Sequence, residues 1–226
     1  IDGLVIRMSG TAHSFTDLSL KANAGCNLLS LITEASSLGL GGWEKLAGIP
    51  GTIGGAVRGN AGAFGPEIKD FVIEVHAINR ETRDTRIFGN AECEFSYRNS
   101  FFKQYPEWII TEVILELQEA DPELSAVLAK DTIAEREKRH LQNVRAAGSF
   151  FMNPVAPKEI VAVFEAEKNV KSRESRVPAG WLIEKAGMKG ATVGDAIASL
   201  QHPNYIVNLG RASCQDVRNL AATIKM

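Results

Sequence analysis

The sequence predicts an α+β protein made of a larger first part and a smaller second part. Three observations lead there. Residues 71–118 hold two stretches in which apolar and polar side chains alternate, the period of strands. Apolar residues at helical spacing flank them, from Leu28 to Ala35 and from Val217 to Ile224. Between the first helix and the first alternating stretch lies Gly48-Ile-Pro-Gly-Thr-Ile-Gly-Gly-Ala-Val-Arg-Gly-Asn-Ala-Gly-Ala-Phe-Gly65, which holds seven of the 20 glycines. The segment around His140 to Arg145 reads as a boundary, giving expected domains of 1–140 and 141–226.

In chain order, Ile1 to Met8 reads as a turn feeding a short strand, and Leu18 to Asn23 as another strand closed by Ala24-Gly25. Asn27 is placed as an N-cap for a helix burying Leu28, Leu31, Ile32 and Ala35, with Gly39 as its stop. After the glycine stretch, Phe71, Ile73, Val75 and Ala77 are expected on one strand face, with a hairpin turn at Asn79-Arg80-Glu81 and a partner from Thr82 to Phe88. The strand from Trp108 to Gln118 is expected to bury Ile109, Val113, Leu115 and Leu117. Asp121-Pro-Glu has the cap chemistry of a helix start, and the charged run Lys130 to Arg139 reads as its solvated face. In the second part, Pro157 opens a helix with Ile160, Val163 and Phe164 on one face. Pro178 to Gly187 is a short helix ended by glycine, and short strands follow near Ala196–Leu200 and Tyr205–Asn208. Ser213 and Asp216 form a capping-box-like pair before the last helix.

Composition narrows the function class. Of 226 residues 23% are charged, the net charge is -2, and no basic patch stands out, which argues against nucleic acid as a partner. No apolar run approaches the roughly 20 residues that span a bilayer, so no membrane partner is expected. Cys26, Cys93 and Cys214 are dispersed and lack a CxxC pair, the pattern of reduced cytoplasmic thiols; Cys26 and Cys214 are expected to be buried or half-buried. His13, His76, His140 and His202 have no metal-ligand spacing, and no metal is expected. His76 sits on an alternating strand, where a satisfied structural role is expected.

Glycine costs backbone entropy, so a dense cluster needs a steric reason: positive φ, or something bulky lying on bare backbone. Loop N–H groups form concave nests for phosphate, and the glycine stretch is read as a cofactor cradle. It is neither a Walker A loop nor a GxGxxG turn.

Three stretches together resemble the UDP-N-acetylenolpyruvoylglucosamine reductase family of peptidoglycan synthesis. Gly48–Gly65 is similar to the family's GIPGTxGGAxxxNAGAxG flavin loop. Phe95-Ser-Tyr-Arg-Asn-Ser100 resembles its YRxS motif, and Gly148-Ser-Phe-Phe-Met-Asn-Pro154 its GSxFxNP motif. Ala179–Gly187 and Tyr205–Asn208 fit in the same order. The resemblance implies the second half of a PCMH/vanillyl-alcohol-oxidase-type FAD-binding domain followed by a smaller α+β substrate-binding domain. It implies a reaction in which NADPH reduces FAD, and flavin N5 gives hydride to the vinyl carbon of UDP-GlcNAc-enolpyruvate, yielding UDP-N-acetylmuramate. It carries the FAD contacts onto Ile49, Pro50, Gly51, Thr52, Gly54, Gly55, Asn60, Ala61, Gly62 and Ala63.

Hydride addition to an enol ether bearing a carboxylate builds negative charge beside that carboxylate. Arg98 matches the cation that stabilises it, through a planar fork suited to carboxylates. Ser149 matches the family's proton donor to the resulting carbanion. Asn153 matches a substrate-binding asparagine, and Tyr97 and His202 are secondary candidates for the nucleotide-sugar cleft. Taken singly, Arg98 would read as a surface ion pair and Ser149 as a turn serine; the motif string favours function.

Three departures stand out. Met152 stands where the family usually has lysine. The chain ends at Met226, before the family's C-terminal glutamate. It begins where the first flavin subdomain is ending, without the early GxGSN loop. The expectation is a core fragment lacking both ends, impaired by itself, from a cytoplasmic and monomeric enzyme of the type without a long tyrosine-bearing loop. Two other readings stay open: an oxidase of the same FAD-binding architecture, and a non-catalytic flavin or nucleotide-sugar module.

Overall fold

A computed structural model describes residues 5–139 and 144–225. The chain divides into two compact units, residues 1–136 and 137–226. The expectations for Ile1–Leu4, and for residues 140–143 of the boundary segment, lie outside the described residues.

The first unit is built on an antiparallel sheet. In chain order come β1 (His13–Thr16), β2 (Ser19–Asn23), α1 (Leu28–Ser37), β3 (Leu40–Gly41), α2 (Ile53–Arg58), β4 (Val72–Asn79), β5 (Thr85–Gly89), α3 (Phe101–Gln104), β6 (Trp108–Glu116), β7 (Gln118–Glu119) and α4 (Pro122–Arg139), whose last turn runs past the boundary at Arg136. The main sheet runs β1-β2-β6-β4-β5, and β3 pairs with β7 separately. Val5 to Met8 form no strand; the first one starts at His13. Local cap chemistry acts as the sequence predicts. The Asn27 side chain accepts from Ser30 N–H at 3.0 Å, Gly39 takes φ +75 after α1, and Asp121 Oδ1 accepts from Leu124 N–H at 2.9 Å.

Both long strands carry a shift that the alternation does not announce. Val72 pairs with Leu115 and Glu74 with Ile114, so Ile73 is an extra residue on β4. The pleat moves by one, which buries Val72 and leaves Ile73 46% exposed. On β6, His76 pairs with Glu112 and Ala77 with Ile110, so Thr111 is the extra residue. Ile110 is therefore buried in place of the expected Ile109. Thr111 is used: its hydroxyl donates to His76 O at 3.1 Å, and its carbonyl accepts from Ala24 N–H at 2.9 Å. The β4–β5 turn is also longer than expected. The Asn79 side chain accepts from the N–H groups of Glu81 and Thr82, Arg83 takes φ +67, and β5 starts at Thr85.

One apolar cluster fills the first unit. Leu20, Leu31, Ile32, Trp43, Leu46, Ile53 and Leu115 are essentially inaccessible within it. Phe88 anchors its far end, with Phe101, Phe102 and Trp108 rings at 4.9, 5.0 and 5.2 Å. Each such side chain contributes about 1.5–3 kcal/mol by leaving water. His76 is satisfied as expected, by Glu74 at 2.9 Å and Glu112 at 3.2 Å.

The second unit holds α5 (Lys158–Lys168), α6 (Ala179–Lys185), β8 (Thr192–Val193), β9 (Ala196–Ala198), β10 (Ile206–Asn208) and α7 (Cys214–Lys225). The three strands form an antiparallel sheet ordered β10-β9-β8. β8 is two residues long and gives no readable period. Ser213 N–H donates to Asp216 Oδ2 and Asp216 N–H to Ser213 Oγ, closing the expected box at the start of α7. Two small clusters replace the single core: Ala196, Ile206, Leu220 and Ala221 form one, Phe164, Val177 and Trp181 the other. On α5 the buried side is Phe164 with Val161, while Ile160 and Val163 are exposed, correcting the expected face. Cys214 is exposed rather than buried.

Candidate functional site

The glycine stretch is not all loop. Its centre is α2, capped by Thr52, whose hydroxyl accepts from Gly55 N–H at 3.3 Å. Ile53, Ala56 and Val57 point into the core. Gly54 lies against the turn after β2: a Cβ there would stand 2.6 Å from Ala24 Cβ, and its N–H donates to Ala24 O at 3.0 Å. No larger residue fits without moving backbone. Gly51 takes φ +125, and a Cβ there would meet nothing within 4 Å. Ile49, Pro50 and Thr52 lead into α2; Ala61, Gly62 and Ala63 follow it, all at least partly accessible. A cleft of about 220 Å³ opens beside α2, lined by Thr52, Gly54, Gly55, Arg58, Trp108 and Ile110 among others.

Asn60 has a different place from its neighbours. It is fully buried at φ +42. Its Nδ2 donates to Ser96 O at 2.9 Å and Glu67 Oε2 at 3.1 Å, and its Oδ1 accepts from Lys69 N–H at 3.3 Å. Its carboxamide is spent inside the protein, and it ties the end of the glycine stretch to the Phe95–Ser100 segment. Arg98 completes that tie: Nη2 donates to Gly62 O at 2.8 Å and Nη1 to Asn60 O at 3.4 Å. Its guanidinium lies 5.3 Å from the Tyr97 ring centre. Ser100, fully buried, donates to Arg58 O at 2.8 Å and finishes α2. The first unit therefore brings Arg98 and Tyr97 to the edge of the glycine stretch.

The second unit collects the remaining candidates. Ser149, Asn153 and His202 line one cleft of about 360 Å³, with Lys168, Trp181 and Glu184 among its other walls. Gly148 turns the chain at φ +95 into Ser149, which bridges Tyr205 in antiparallel fashion. Asn153 Oδ1 accepts from Ala179 N–H at 3.0 Å, so the start of α6 is held by the same residue that faces the cleft. The His202 ring stands 4.6 Å from that of Tyr205, and burial pushes its pKa down, keeping the imidazole neutral at pH 7. Glu184 is held below the usual carboxylate range by Lys189, whose Nζ lies at 2.7 Å. Met152 is 53% exposed and does not line this cleft; Lys168 is the cation on its wall.

Two residues that sequence reasoning passed over emerge here. Glu67 receives Asn60, and Asn204 holds the Ser149 segment through Phe151. Asn204 lies 53 residues from its partner, Glu67 lies seven residues from Asn60 but beyond the glycine stretch, and neither residue sits in a motif that marks it.

Comparison with known proteins adds an independent line. A model described as FAD binding domain matches residues 1–83, and one described as UDP-N-acetylenolpyruvoylglucosamine reductase, C-terminal domain, matches residues 139–226. The UDP-N-acetylenolpyruvoylglucosamine reductase of Solibacter usitatus is 37% identical over 228 residues, covering 99% of this chain and 71% of that one. The protein of the same name from Flavobacterium johnsoniae is 37% identical over 215 residues, covering 82% of this chain and 64% of that one. The chain thus spans about two thirds of the length of these relatives. The crystal structure of UDP-N-acetylenolpyruvylglucosamine reductase from Thermus caldophilus superposes with a TM-score of 0.71 at 33% identity, covering 93% of this chain and 70% of that one. With motifs, both domains and the fold in agreement, the chain belongs to the UDP-N-acetylenolpyruvoylglucosamine reductase family.

Proposed function

We propose that the protein reduces UDP-GlcNAc-enolpyruvate to UDP-N-acetylmuramate with NADPH and FAD, in the supply of peptidoglycan precursors. The observation that carries this reading is the meeting of Ser149, Asn153 and His202, 53 residues apart in sequence at the extremes, on one cleft. The first unit fits a flavin dinucleotide. Among the described residues, the N–H groups of Gly51, Thr52 and Gly62 are spent on no protein acceptor, while Gly54 and Ala56 N–H groups are. Unspent donors beside side-chain-free backbone suit a pyrophosphate. Ile49, Pro50, Gly51, Thr52, Gly55, Ala61, Gly62 and Ala63 would hold it, with Asn60 shaping the loop from inside.

FAD, when bound, supplies the hydride relay between NADPH and the enolpyruvyl group. The protein's own residues do the rest. Two of the five N–H donors of Arg98 hold the carbonyls of Asn60 and Gly62, fixing the guanidinium plane. The other three face negative charge that builds on the substrate's carboxylate-bearing carbon. The Ser149 hydroxyl, on an exposed turn, delivers the proton to that carbon. Neutral His202 and the Asn153 amide bind the nucleotide-sugar. We place the enzyme in the cytoplasm as a monomer; no helix among the described residues is long and apolar enough to cross a membrane.

The test is optical. The full-length protein should be yellow, bleach with NADPH, and regain colour anaerobically only when UDP-GlcNAc-enolpyruvate is added. Colour returning at the same rate in air without that substrate identifies an oxidase instead, and a protein that never bleaches identifies a non-catalytic module.

A further inference from the structure

The segment that carries Ser149 has little apolar anchorage. Phe150 is 47% and Met152 53% exposed, and only Phe151 packs on a core. Its regular strand-like contact is also short. Asn208 N–H donates to Arg145 O at 2.9 Å, Ser149 bridges Tyr205, and Phe150 N–H donates to Asn204 O at 2.7 Å. Beyond that point the backbone pairing with residues 204–208 stops, and a side chain takes over until Pro154 and Ala156 pair with Val177 and Ser175. Asn204 Oδ1 accepts from Phe151 N–H at 2.8 Å while its Nδ2 donates to Phe151 O at 2.9 Å. With its own carbonyl on Phe150, Asn204 makes three bonds to two consecutive residues directly after Ser149.

Asn204 is only 4% exposed, so these bonds are shielded from water and leaving any of them unmade is costly. A carboxamide suits the task, because it presents a donor and an acceptor side by side, matching one residue's N–H and C=O. Its position is fixed in turn. The loop holding it is pinned by Ser199, whose hydroxyl accepts from Gln201 N–H at 3.1 Å and His202 N–H at 3.2 Å. Tyr205 N–H donates to His202 O at 2.8 Å. The α6 residue Gly180 lies close by: a Cβ there would stand 3.7 Å from Asn204 Cβ and 3.9 Å from His202 Cε1. One loop thus sets His202 on the cleft wall and holds the backbone that follows Ser149.

We propose that Asn204 is the positioning residue for proton delivery, holding Ser149 in register on the cleft through Phe150 and Phe151; this rests on the reading of Ser149 as the proton donor. The proton passes from the Ser149 hydroxyl to the substrate carbon. Asn204 borders the same cleft, but both polar atoms of its side chain are taken by Phe151, so its role is alignment, where a shift of an ångström costs about 100-fold in rate.

The experiment uses the full-length protein and the variants Asn204→Asp, Asn204→Leu and Ser149→Ala. Asn204→Asp keeps the acceptor for Phe151 N–H but sets a carboxylate oxygen against Phe151 O. Asn204→Leu removes both partners. Flavin bleaching by NADPH and its reoxidation by UDP-GlcNAc-enolpyruvate are followed separately. Binding of the substrate to oxidised enzyme, the solvent deuterium effect on reoxidation, and amide exchange at Phe150 and Phe151 are measured alongside. In both Asn204 variants bleaching should stay within about 2-fold while reoxidation slows by about 100-fold. Substrate affinity should hold within about 3-fold, because the binding groups of the cleft remain. The solvent deuterium effect should rise as proton delivery comes to limit the step, and exchange at Phe151 should accelerate. Simple destabilisation would weaken bleaching, binding and reoxidation together, and that result overturns the proposal. Ser149→Ala inactive with either folded Asn204 variant fully active overturns it while sparing the reading of Ser149. Ser149→Ala fully active removes that reading and the proposal with it.

Discussion

The two segments proposed above to carry the chemistry are held in opposite ways. The glycine stretch is wedged into a large apolar cluster through Ile53, Ala56 and Val57, with Asn60 locking its end. The Ser149 segment lies in a unit with two small clusters and is fastened by the carboxamide of Asn204. Both use a buried asparagine, yet the first supplements a core and the second substitutes for one. A cofactor loop that grips a large dinucleotide gains from rigid backing. A proton donor needs angular accuracy over one or two residues, which a pair of directional hydrogen bonds supplies with little apolar area. The difference is open to direct tests of packing, of bare backbone and of charge.

The largest effect is expected at Asn60. Asn60→Ala removes three side-chain hydrogen bonds made by a fully buried residue: the donors to Ser96 O, which keeps Asn99 N–H, and to Glu67, and the acceptor for Lys69 N–H. At about 1 kcal/mol for each of the three hydrogen bonds lost, the first unit should lose about 3 kcal/mol. Urea unfolding followed in each unit by hydrogen exchange reads this directly. A loss shared equally by both units would mean they are not held independently, and the contrast would fail.

Packing against bare backbone gives a smaller and more discriminating effect. Gly54 and Gly55 are adjacent in α2, and both line the same cleft. Gly54→Ala drives a methyl to 2.6 Å from Ala24 Cβ and should cost about 2 kcal/mol. Gly55→Ala meets only Thr52 Oγ1, at 3.6 Å, and should stabilise the FAD-free protein by about 0.5–1 kcal/mol through helix propensity. If the cofactor lies on that face, the same Gly55→Ala should weaken FAD binding by about 10-fold by equilibrium titration, since a methyl displaces the close approach. Unchanged affinity would remove Gly55 from the cofactor surface while leaving its helix argument intact.

These particulars mark what a reader of the sequence could reach. Asn27, Gly39, Asp121 and the Ser213–Asp216 pair were legible because a cap acts on residues within a turn of itself. The motif residues were legible as a set by resemblance. The two bulges were not, because the extra residue on β4 or β6 is defined only against the partner strand. A strict alternation therefore put Ile73 and Ile109 inside, one step from Val72 and Ile110. The motif resemblance assigns Asn60 to the cofactor, whereas its inward role depends on Ser96, 36 residues on. Asn204 was invisible for the same reason: its partner Phe151 is 53 residues away. Local chemistry is written in the sequence; the long-range bonds that position the site become visible only when the fold brings their ends together.

The smallest effect separates the two units by the sign of their response to acid. His13, in the first unit, has its pKa raised above 6.5 by hydrogen bonds to Thr11 O at 3.0 Å and Glu34 Oε2 at 2.8 Å. Its folded form holds the proton more tightly than the unfolded chain does. The stability it adds is fully present below pH 6.5 and is lost as pH rises through the raised value. His202, in the second unit, has its pKa lowered from 6.5 by burial. Its contribution is present above pH 6.5 and is lost as pH falls through the lowered value, because unfolding then takes up a proton. Between about pH 8 and pH 5 the first unit should therefore gain, relative to His13→Asn, while the second loses relative to His202→Asn. Both are fractions of the whole stability, and His13 is exposed, so its share is further cut by solvent and by salt. Comparing each unit with its own variant cancels the carboxylates, whose lowered values, such as about 2 for Glu167, act only at more acid pH. Slopes of the same sign in the two units would show that burial does not govern His202, and the cleft wall it forms would then be wetter than its packing implies.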